Sequence, residues 1–437
     1  MKKSSLVRVG MAALLSVSML AGCAKTADKP MESSSMADSK GEESKAESKE
    51  EAKTDSKSGE KVTATITVWS SQEDQAEESG NWLGKQLEAF KAAHPEWELT
   101  FKTGVCSEGD AKTLVAADPT AAADVYMYAN DQIPDLLKAN AIAELGGKTV
   151  EDIKKNNSEV TVNTVSYKDG VYGVPFTANT WFMYYDKRVF SDEDVKSLDK
   201  MLEKGKVGFP LSNSWYIASF YVANGCTLFG ANGADEAAGI DFSGDKAVAV
   251  TNYLVDLANN ANFVDSSGLT PSALTDGTTN VFFSGTWDYK NVVDALGEEN
   301  VGIAAPPSYN LDGKEVQLKA FAGSKAIGVN PNSKNPQVAV ALAAFLGSAE
   351  AQKAHYEIRN IIPTDTSLDV SKDILAKAQL DTMDFASIVQ PLYAGMTNYW
   401  IPAESMGKEL VGHTVTHDNA KEKTESLNTA LNTATVQ

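Results

Sequence analysis

Apolar and polar residues alternate in two different periods along most of the chain. Val62 to Val68 alternates apolar residues with threonine, which predicts a half-buried strand. Between Trp82 and Ala93 the apolar residues recur at helical spacing, so this segment is predicted to be an amphipathic helix. Pro95 predicts its end, because the residue before a proline is disfavoured in the α region. The chain therefore starts its folded part with a strand and a helix.

The same alternation continues, so the fold class predicted is α/β, with strands and helices in layers rather than a barrel or a bundle. Asp131, the run Ser212-Asn213-Ser214 and Ser348 are predicted to cap the starts of helices, and Asn224-Gly225 to end one. The further strands predicted are Trp97–Phe101, Asp124–Tyr128, Tyr172–Pro175, Trp181–Tyr185 and Val281–Ser284, and the further helices are Asp131–Lys138, Trp215–Asn224, Lys246–Asn259 and Gln337–Leu346.

The N-terminal residues read as a targeting signal. Lys2, Lys3 and Arg8 precede an apolar run from Val9 to Ala21, which is shorter than the ~20 residues of a membrane span. The following stretch, 24–60, contains no aromatic residue and no Ile, Leu or Val. Without apolar surface to bury it cannot offset its ordering entropy, so we expect a disordered linker and folded protein from Lys61.

Composition and charge narrow the class of partner. The 437 residues are 43% hydrophobic and 22% charged, as in soluble globular proteins. Lys and Arg number 39 against 59 Asp and Glu, a formal charge of −20, which disfavours nucleic acid and polybasic membrane docking. Three cysteines and four histidines exclude a disulfide scaffold and a Cys-rich metal site. Cys106 and Cys226 either form one disulfide or stay free thiols, and we expect no cofactor.

Large aromatic residues stand where predicted strands pass into helices. The carboxyl ends of strands are where open α/β sheets bind ligands. A pyranose stacks its C–H face on an aromatic ring, and its hydroxyls bind amides and carboxylates. Burying ~50 Å² of that face contributes about 1 kcal/mol, so useful affinity needs several rings. The alternative is core packing, which we expect for Trp82 and Trp97. The corner aromatics are Trp69, Tyr128, Trp215, Trp287 and Trp400.

Two resemblances bear on location and function. Leu20-Ala21-Gly22-Cys23 looks like the lipobox of bacterial lipoproteins, which implies a signal peptide over 1–22 and diacylglycerol on Cys23. From Lys61 onward the chain resembles the extracellular solute-binding proteins of ABC sugar importers, most closely the maltose and maltodextrin-binding group. The segments that carry this second resemblance are Ala123–Asp131, Tyr172–Lys187, Ser212–Gly225 and Ser284–Trp287.

The resemblance implies a role for each candidate ligand-binding residue. It implies stacking by Tyr128, Trp215, Trp287 and Trp400, with Trp181 as an added ring. Asn179 and Asn213 stand where the group has a glutamate. Trp69 is a further candidate ring. The remaining candidates are expected to contact hydroxyls, and they are Ser71, Glu73, Asn130, Asp131, Gln132 and Glu404.

The resemblance also implies a two-lobed periplasmic-binding-protein-like fold with hinge-crossing strands and a ligand cleft between the lobes. The N-terminal lobe is predicted to comprise 61–177 and 326–375, and the C-terminal lobe 178–325 and 376–437. The implied protein is no enzyme but a monomeric receptor, lipid-anchored at the extracellular face of the cell membrane. Its partners are an oligosaccharide and the permease subunits of an ABC transporter.

Three alternatives stay open. A glycoside hydrolase would use two carboxylates beside the scissile bond, for which Asp131, Asp288 and Glu404 are available. His413 and His417 are spaced as two metal ligands on one helical face, but the HExxH glutamate is absent, so we expect exposed helix histidines. The third alternative is a lipoprotein of similar shape that binds a peptide or a metal.

Overall fold

The computed structural model describes residues 62–433, which form a mixed α/β fold. The predicted signal peptide, Cys23 and the linker lie outside the described residues. The strands are Val62–Ser70 (β1), Trp97–Val105 (β2), Val125–Ala129 (β3), Ser166–Tyr167 (β4), Gly170–Val171 (β5), Val174–Asn179 (β6), Phe182–Asp186 (β7), Val207–Phe209 (β8), Thr227–Leu228 (β9), Ile240–Asp241 (β10), Phe263–Asp265 (β11), Val281–Ser284 (β12), Val301–Ala304 (β13), Ser308–Leu311 (β14), Lys314–Gln317 (β15), Ala320–Val329 (β16) and Ser387–Val389 (β17).

The helices are interspersed with these strands throughout. They are Gln72–Gln75 (α1), Trp82–Ala93 (α2), Ala111–Ala117 (α3), Ile133–Lys138 (α4), Gly147–Asn156 (α5), Glu159–Thr164 (α6), Leu198–Lys204 (α7), Ser214–Ala223 (α8), Gly244–Asn259 (α9), Ser272–Thr275 (α10), Tyr289–Leu296 (α11), Pro336–Leu346 (α12), Ala349–Arg359 (α13), Ile374–Phe385 (α14), Thr397–Val411 (α15) and Ala420–Leu431 (α16). None of the described helices is both long enough and apolar enough to span a membrane.

The first core is built on the sheet that contains β2, β1, β3 and β16 in that order. β1 pairs in parallel with β2 and β3, whereas β16 runs antiparallel to β3 and also pairs with β6. Helices α2 and α12 pack on this sheet and bury Phe90 and Leu342. The strand ends of β1 and β3 therefore lie side by side at one edge of the sheet.

The second core is built around β7, which pairs antiparallel with β12 and β13. Helices α8, α9, α15 and α16 pack together beside it, and the buried side chains include Phe209, Tyr216, Phe283 and Tyr399. A smaller cluster lies on the other face of β7, where α14 covers Phe182 and Tyr184. The second core is thus richer in aromatic side chains than the first.

Three segments join the two cores. β16 contributes Phe321 to the second core and Ala326 to the first. The Thr180 hydroxyl, between β6 and β7, donates to the Phe321 carbonyl at 2.9 Å. β17 pairs in parallel with the beginning of β16. The predicted α/β fold with two lobes and crossing strands is confirmed, whereas the exact lobe boundaries stay a prediction.

Several local predictions hold and others are wrong. The helix over Trp82–Ala93 is confirmed, and Ser348 caps α13 by accepting from the Ala351 N–H. Asp131 does not cap a helix, because Asn130–Gln132 forms a 3₁₀ turn before α4. His413 and His417 lie in the turn after α15 rather than on a helix.

The cysteines and histidines considered in the sequence lie in different surroundings. Cys106 and Cys226 are free and buried, and burial raises the pKa of both thiols, to about 11 for Cys106 and about 12 for Cys226. Within 62–433, no group of three or more His, Cys, Asp or Glu side chains is arranged to hold a metal ion. The ring nitrogens of His417 instead face Asn252 and Asp256.

Candidate functional site

Two tryptophans on different elements of the second core lie next to each other. The ring centroids of Trp215 and Trp287 are 6.2 Å apart and the ring planes are inclined by 37°. Trp287 is 51% exposed, an unusual amount for so large an apolar side chain, and Trp215 is half-buried. The pair therefore forms an aromatic surface that is open to solvent; we call it the tryptophan pair.

The position of Trp287 follows from the corner at the end of β12. Its indole lies over the Cα of Gly285, where a Cβ would fall 2.1 Å from a ring atom, so the close approach requires glycine. The Tyr184 hydroxyl donates to the Gly285 carbonyl at 2.7 Å, and the Ser284 hydroxyl donates to Asp288 at 2.6 Å. Burial raises the pKa of Tyr184, with the Asp288 charge adding to the shift, so the phenol stays a donor. Two hydrogen bonds therefore hold the corner, while its ring is exposed.

Trp215 lies in the first turn of α8. Asn213 caps this helix, with its side-chain oxygen accepting from the Trp215 N–H at 2.9 Å. The indole Nε1–H donates to the Gln390 side-chain oxygen at 3.2 Å. Gln390 was not predicted from the sequence. Its position as a polar residue directly after a short strand and before Pro391 could have marked it as a candidate.

Trp400 and Glu404 lie one turn apart on α15, hence on one helical face. Trp400 is half-buried against the second core, with its ring 5.1 Å from Tyr399 and 6.2 Å from Phe321. Glu404 forms an ion pair with Lys408. Trp400 thus packs against the second core and Glu404 is partly exposed beside it, and their contacts with a ligand stay predictions.

Tyr128 and Trp181 are wrong as stacking residues, because neither has any exposed surface. The Tyr128 hydroxyl donates to the Tyr172 carbonyl at 3.1 Å, and burial raises the pKa of this phenol. Trp181 lies 5.0 Å from Tyr216 inside the second core, edge-on to Phe209 and Phe283. The pattern of an aromatic residue at a strand end does not distinguish such packing from an exposed ring.

Asn130 and Gln132 are also engaged within the protein, which excludes the predicted hydroxyl contacts in this arrangement. The Asn130 amide donates to the Thr164 carbonyl and accepts from the Ser324 N–H, each at 2.9 Å. Gln132 donates to the carbonyls of Glu108 and Gly109 and accepts from the Lys112 N–H. These two amides hold the corner after β3 in place.

Asp131 and Asn179 remain available near that corner. Asp131 is exposed between the two buried amides, and Asn179 is half-buried at the end of β6. Asn179 lies near β16, since a Cβ on Gly323 would fall 3.1 Å from the Asn179 carbonyl and 2.8 Å from the Asn130 side-chain oxygen. Gly323 thus permits the two segments to approach.

The corner after β1 holds Trp69, Ser71 and Glu73. Trp69 is half-buried and lies over Gly104 of β2, where a Cβ would fall 2.6 Å from the indole. Ser71 is buried and hydrogen-bonded to Asp74, and Glu73 is exposed on α1. The three residues therefore lie at the same sheet edge as Asp131, because β1 and β3 are parallel neighbours.

Asp74 fixes this corner through a buried ion cluster. Its carboxylate accepts from His355 Nε2 at 2.9 Å and lies 3.5 Å from Arg359 Nη1. His355 in turn stacks on Trp82, with centroids 3.9 Å apart. Burial opposes ionisation of Asp74, but the His355 hydrogen bond and the charges of His355 and Arg359 outweigh it and lower its pKa. Helix α1, which carries Glu73, is held to α13 by this cluster.

A cavity of about 650 Å³ lies beside β17, between α6 of the first core and the segment after α8. Its walls include Asn163, Val222, Asn232 and Ile388. The described residues that line it include no aromatic ring, so stacking of a sugar there has no support. The exposed aromatic surface of the described residues lies instead at the tryptophan pair, beside the Gln390 amide.

The chain is similar to known solute-binding proteins. The bacterial extracellular solute-binding protein family matches residues 85–382. A maltooligosaccharide ABC transporter solute-binding lipoprotein of Streptococcus pneumoniae is 26% identical over 429 residues, covering 91% of this chain and 90% of that relative. A structure solved with acarbose is 53% identical, with a TM-score of 0.76, covering 85% of this chain and 99% of that one.

A second solved structure shares the fold at lower identity. The maltodextrin-binding protein of L. casei BL23, solved without ligand, has a TM-score of 0.79 at 24% identity, covering 85% of this chain and 100% of that one. The sequence-based resemblance to the maltose and maltodextrin-binding group is confirmed by these relatives.

Proposed function

We propose a capture role for this chain, which belongs to the bacterial extracellular solute-binding protein family: it binds malto-oligosaccharides and delivers them to an ABC importer. The observation that carries the proposal is the tryptophan pair, an exposed aromatic surface on a hydrogen-bonded corner. The S. pneumoniae relative named for maltooligosaccharides and the 53% identical protein solved with acarbose support the same ligand class. Acarbose is itself an analogue of an α-1,4-linked glucan fragment.

The geometry of the pair suits a curved oligosaccharide. α-1,4-linked glucose units turn steadily along the chain, so neighbouring sugar faces are inclined to each other. Two ring planes inclined by 37° therefore suit such a turning chain better than they suit the flat ribbon of a β-1,4-linked chain. Because one stacked face contributes only about 1 kcal/mol, we place a sugar on each ring and further contacts on Trp400.

Residues from both cores complete the proposed site. Tyr128, Trp181, Asn130 and Gln132 support it from within the protein rather than by touching the ligand. We propose that closure of the two lobes brings the first-core residues onto a ligand bound at the tryptophan pair. The proposed contacts are Trp69, Glu73, Asp131 and Asn179 from the first-core side and Trp215, Trp287, Trp400 and Glu404 from the second.

We further propose that the protein acts outside the cell on a lipid tether. Cys23 would carry the lipid, and residues 24–60 would space the folded part from the membrane. The lipoprotein relative in S. pneumoniae supports this location.

We propose that the receptor is a monomer and performs no catalysis. Palmitate labelling of wild type and Cys23→Ala tests the tether: the label should be lost in the variant, and retained label would contradict it.

A second candidate is a receptor for another oligosaccharide. Asn179 and Asn213 occupy positions where the maltose-binding group has glutamate, and Asn213 uses its side-chain oxygen to cap α8. A site with fewer carboxylates makes fewer charge-assisted bonds to hydroxyls. The sugar identity is therefore the part of the proposal that experiment must decide.

A thermal-shift panel tests the proposal. The ligands are maltose, maltotriose, longer maltodextrins, a cyclodextrin, xylo-oligosaccharides and peptides. A ligand that binds only the folded state raises the melting temperature, so maltotriose and longer maltodextrins should raise it and peptides should not. A shift with xylo-oligosaccharides alone would favour the second candidate, and new reducing ends from maltoheptaose would indicate a hydrolase instead.

A further inference from the structure

Gln390 lies on the segment that joins the two cores. Its backbone N–H donates to the Ala322 carbonyl at 3.0 Å and so continues the pairing of β17 with β16. Ala322 itself lies between Phe321, which packs in the second core, and Ala326, which packs in the first. The backbone of Gln390 is therefore fixed on the joining strands rather than on a free loop.

The side chain of Gln390 meets the edge of the Trp215 ring. The indole N–H, which can only donate, is 3.2 Å from the Gln390 side-chain oxygen. This contact fixes the orientation of the amide, with its oxygen toward the indole and its nitrogen away from it. Gln390 is half-buried, and among residues 62–433 its amide nitrogen has no hydrogen-bond acceptor.

Such an amide lies at the rim of the aromatic surface. The indole N–H points outward in the plane of the ring, so its acceptor is beside the ring and not above it. A sugar stacked on the face of Trp215 carries its hydroxyls around its own rim. The two N–H bonds of the Gln390 amide are donors suited to a hydroxyl oxygen at that edge.

We propose that Gln390 is a specificity-determining residue that does two things. It accepts from Trp215 and thereby positions the indole, and it donates to a hydroxyl of the sugar stacked there. The inference rests on the proposed sugar-binding function and adds to it a polar contact carried by the strands between the cores. Stacking alone tolerates many sugars, whereas a directed donor discriminates among hydroxyl arrangements.

A double-mutant cycle separates the two roles. Maltotriose affinity is measured by calorimetry for wild type, Gln390→Met, Trp215→Phe and the double variant. Methionine keeps the length of the side chain without hydrogen bonding, and phenylalanine keeps a ring without the indole N–H. Gln390→Met should weaken binding roughly 5- to 10-fold, and it should still weaken binding several-fold in the Trp215→Phe background, because the bond to sugar does not need the indole N–H.

Controls keep the test independent of folding and of the proposed function. Gln337→Met makes the same change at an exposed position of α12 and should leave affinity unchanged. Gln390→Leu is the second variant, and the melting temperature of each unliganded protein reports folding. Unchanged affinity in Gln390→Met would overturn the inference, and so would a loss that vanishes in the Trp215→Phe background. Absence of maltotriose binding by wild type would instead overturn the proposed function.

Discussion

The corners that follow the strands of the first core differ from those of the second core in what fills them. After β1 and β3, buried polar groups close the corner: Asp74 with His355 and Arg359, and Asn130 with two backbone partners. The corner after β12 and the start of α8 are also held by hydrogen bonds, but each carries an indole that is at least partly exposed to solvent.

Aromatic residues at strand ends therefore have two separate roles. Tyr128 is fully buried and donates to a backbone carbonyl, whereas Trp287 is half exposed. Loss of a buried ring should lower the stability of the fold, and loss of an exposed ring should lower affinity alone.

Trp181→Ala should destabilise the protein most. Its ring fills the centre of the second core against Phe209, Tyr216 and Phe283, so truncation leaves a cavity. The free energy of unfolding should fall by about 3–5 kcal/mol, as measured by urea denaturation. The matched control Trp287→Ala should change it by less than about 0.5 kcal/mol. Equal losses in the two variants would contradict the assignment of Trp181 to the core.

Asp74→Asn should destabilise the closed corner of the first core. At pH 7 the expected loss is about 2 kcal/mol, since a hydrogen bond to a charged group is removed in a buried setting. Because folding lowers the pKa of Asp74, its contribution is present above the unfolded value near 3.8 and is lost as pH falls through the folded pKa. The gap between wild type and variant in urea denaturation should therefore narrow below about pH 4. A gap that is constant from pH 7 to pH 3 would contradict the ionised cluster.

Trp287→Ala should weaken maltotriose binding roughly 5- to 10-fold, about 1–1.4 kcal/mol, and leave the melting temperature of the unliganded protein unchanged. The exposed ring adds little to the core but supplies a stacking face. Calorimetry measures the affinity. Trp97→Ala is a matched control, because that ring packs near Phe90 and His94 in the first core and should change stability instead.

Tyr128→Phe should have the smallest effect. It removes one buried hydrogen bond to the Tyr172 carbonyl and should lower the free energy of unfolding by about 1 kcal/mol. Maltotriose affinity should stay the same. A marked loss of affinity with full stability would restore the stacking role that the sequence suggested for this residue.

The periodicity of the chain was sufficient to predict the main helices and strands, but it did not suffice to predict which residues form the candidate site. Helix α2 and its end before Pro95 follow from local rules that do not depend on distant contacts. Whether Tyr128 or Trp287 is exposed depends on residues that are distant in the sequence. Tyr128 contacts Tyr172, and Trp287 lies beside Trp215. Gln390 was missed for the same reason, since its partner Trp215 is 175 residues away.

A crystal structure of the protein with maltotriose would show directly where the sugar binds. We expect sugar faces in van der Waals contact with the rings of Trp215 and Trp287, and hydroxyls within hydrogen-bond distance of first-core side chains. Maltotriose bound elsewhere, with both indoles left uncovered, would contradict this expectation.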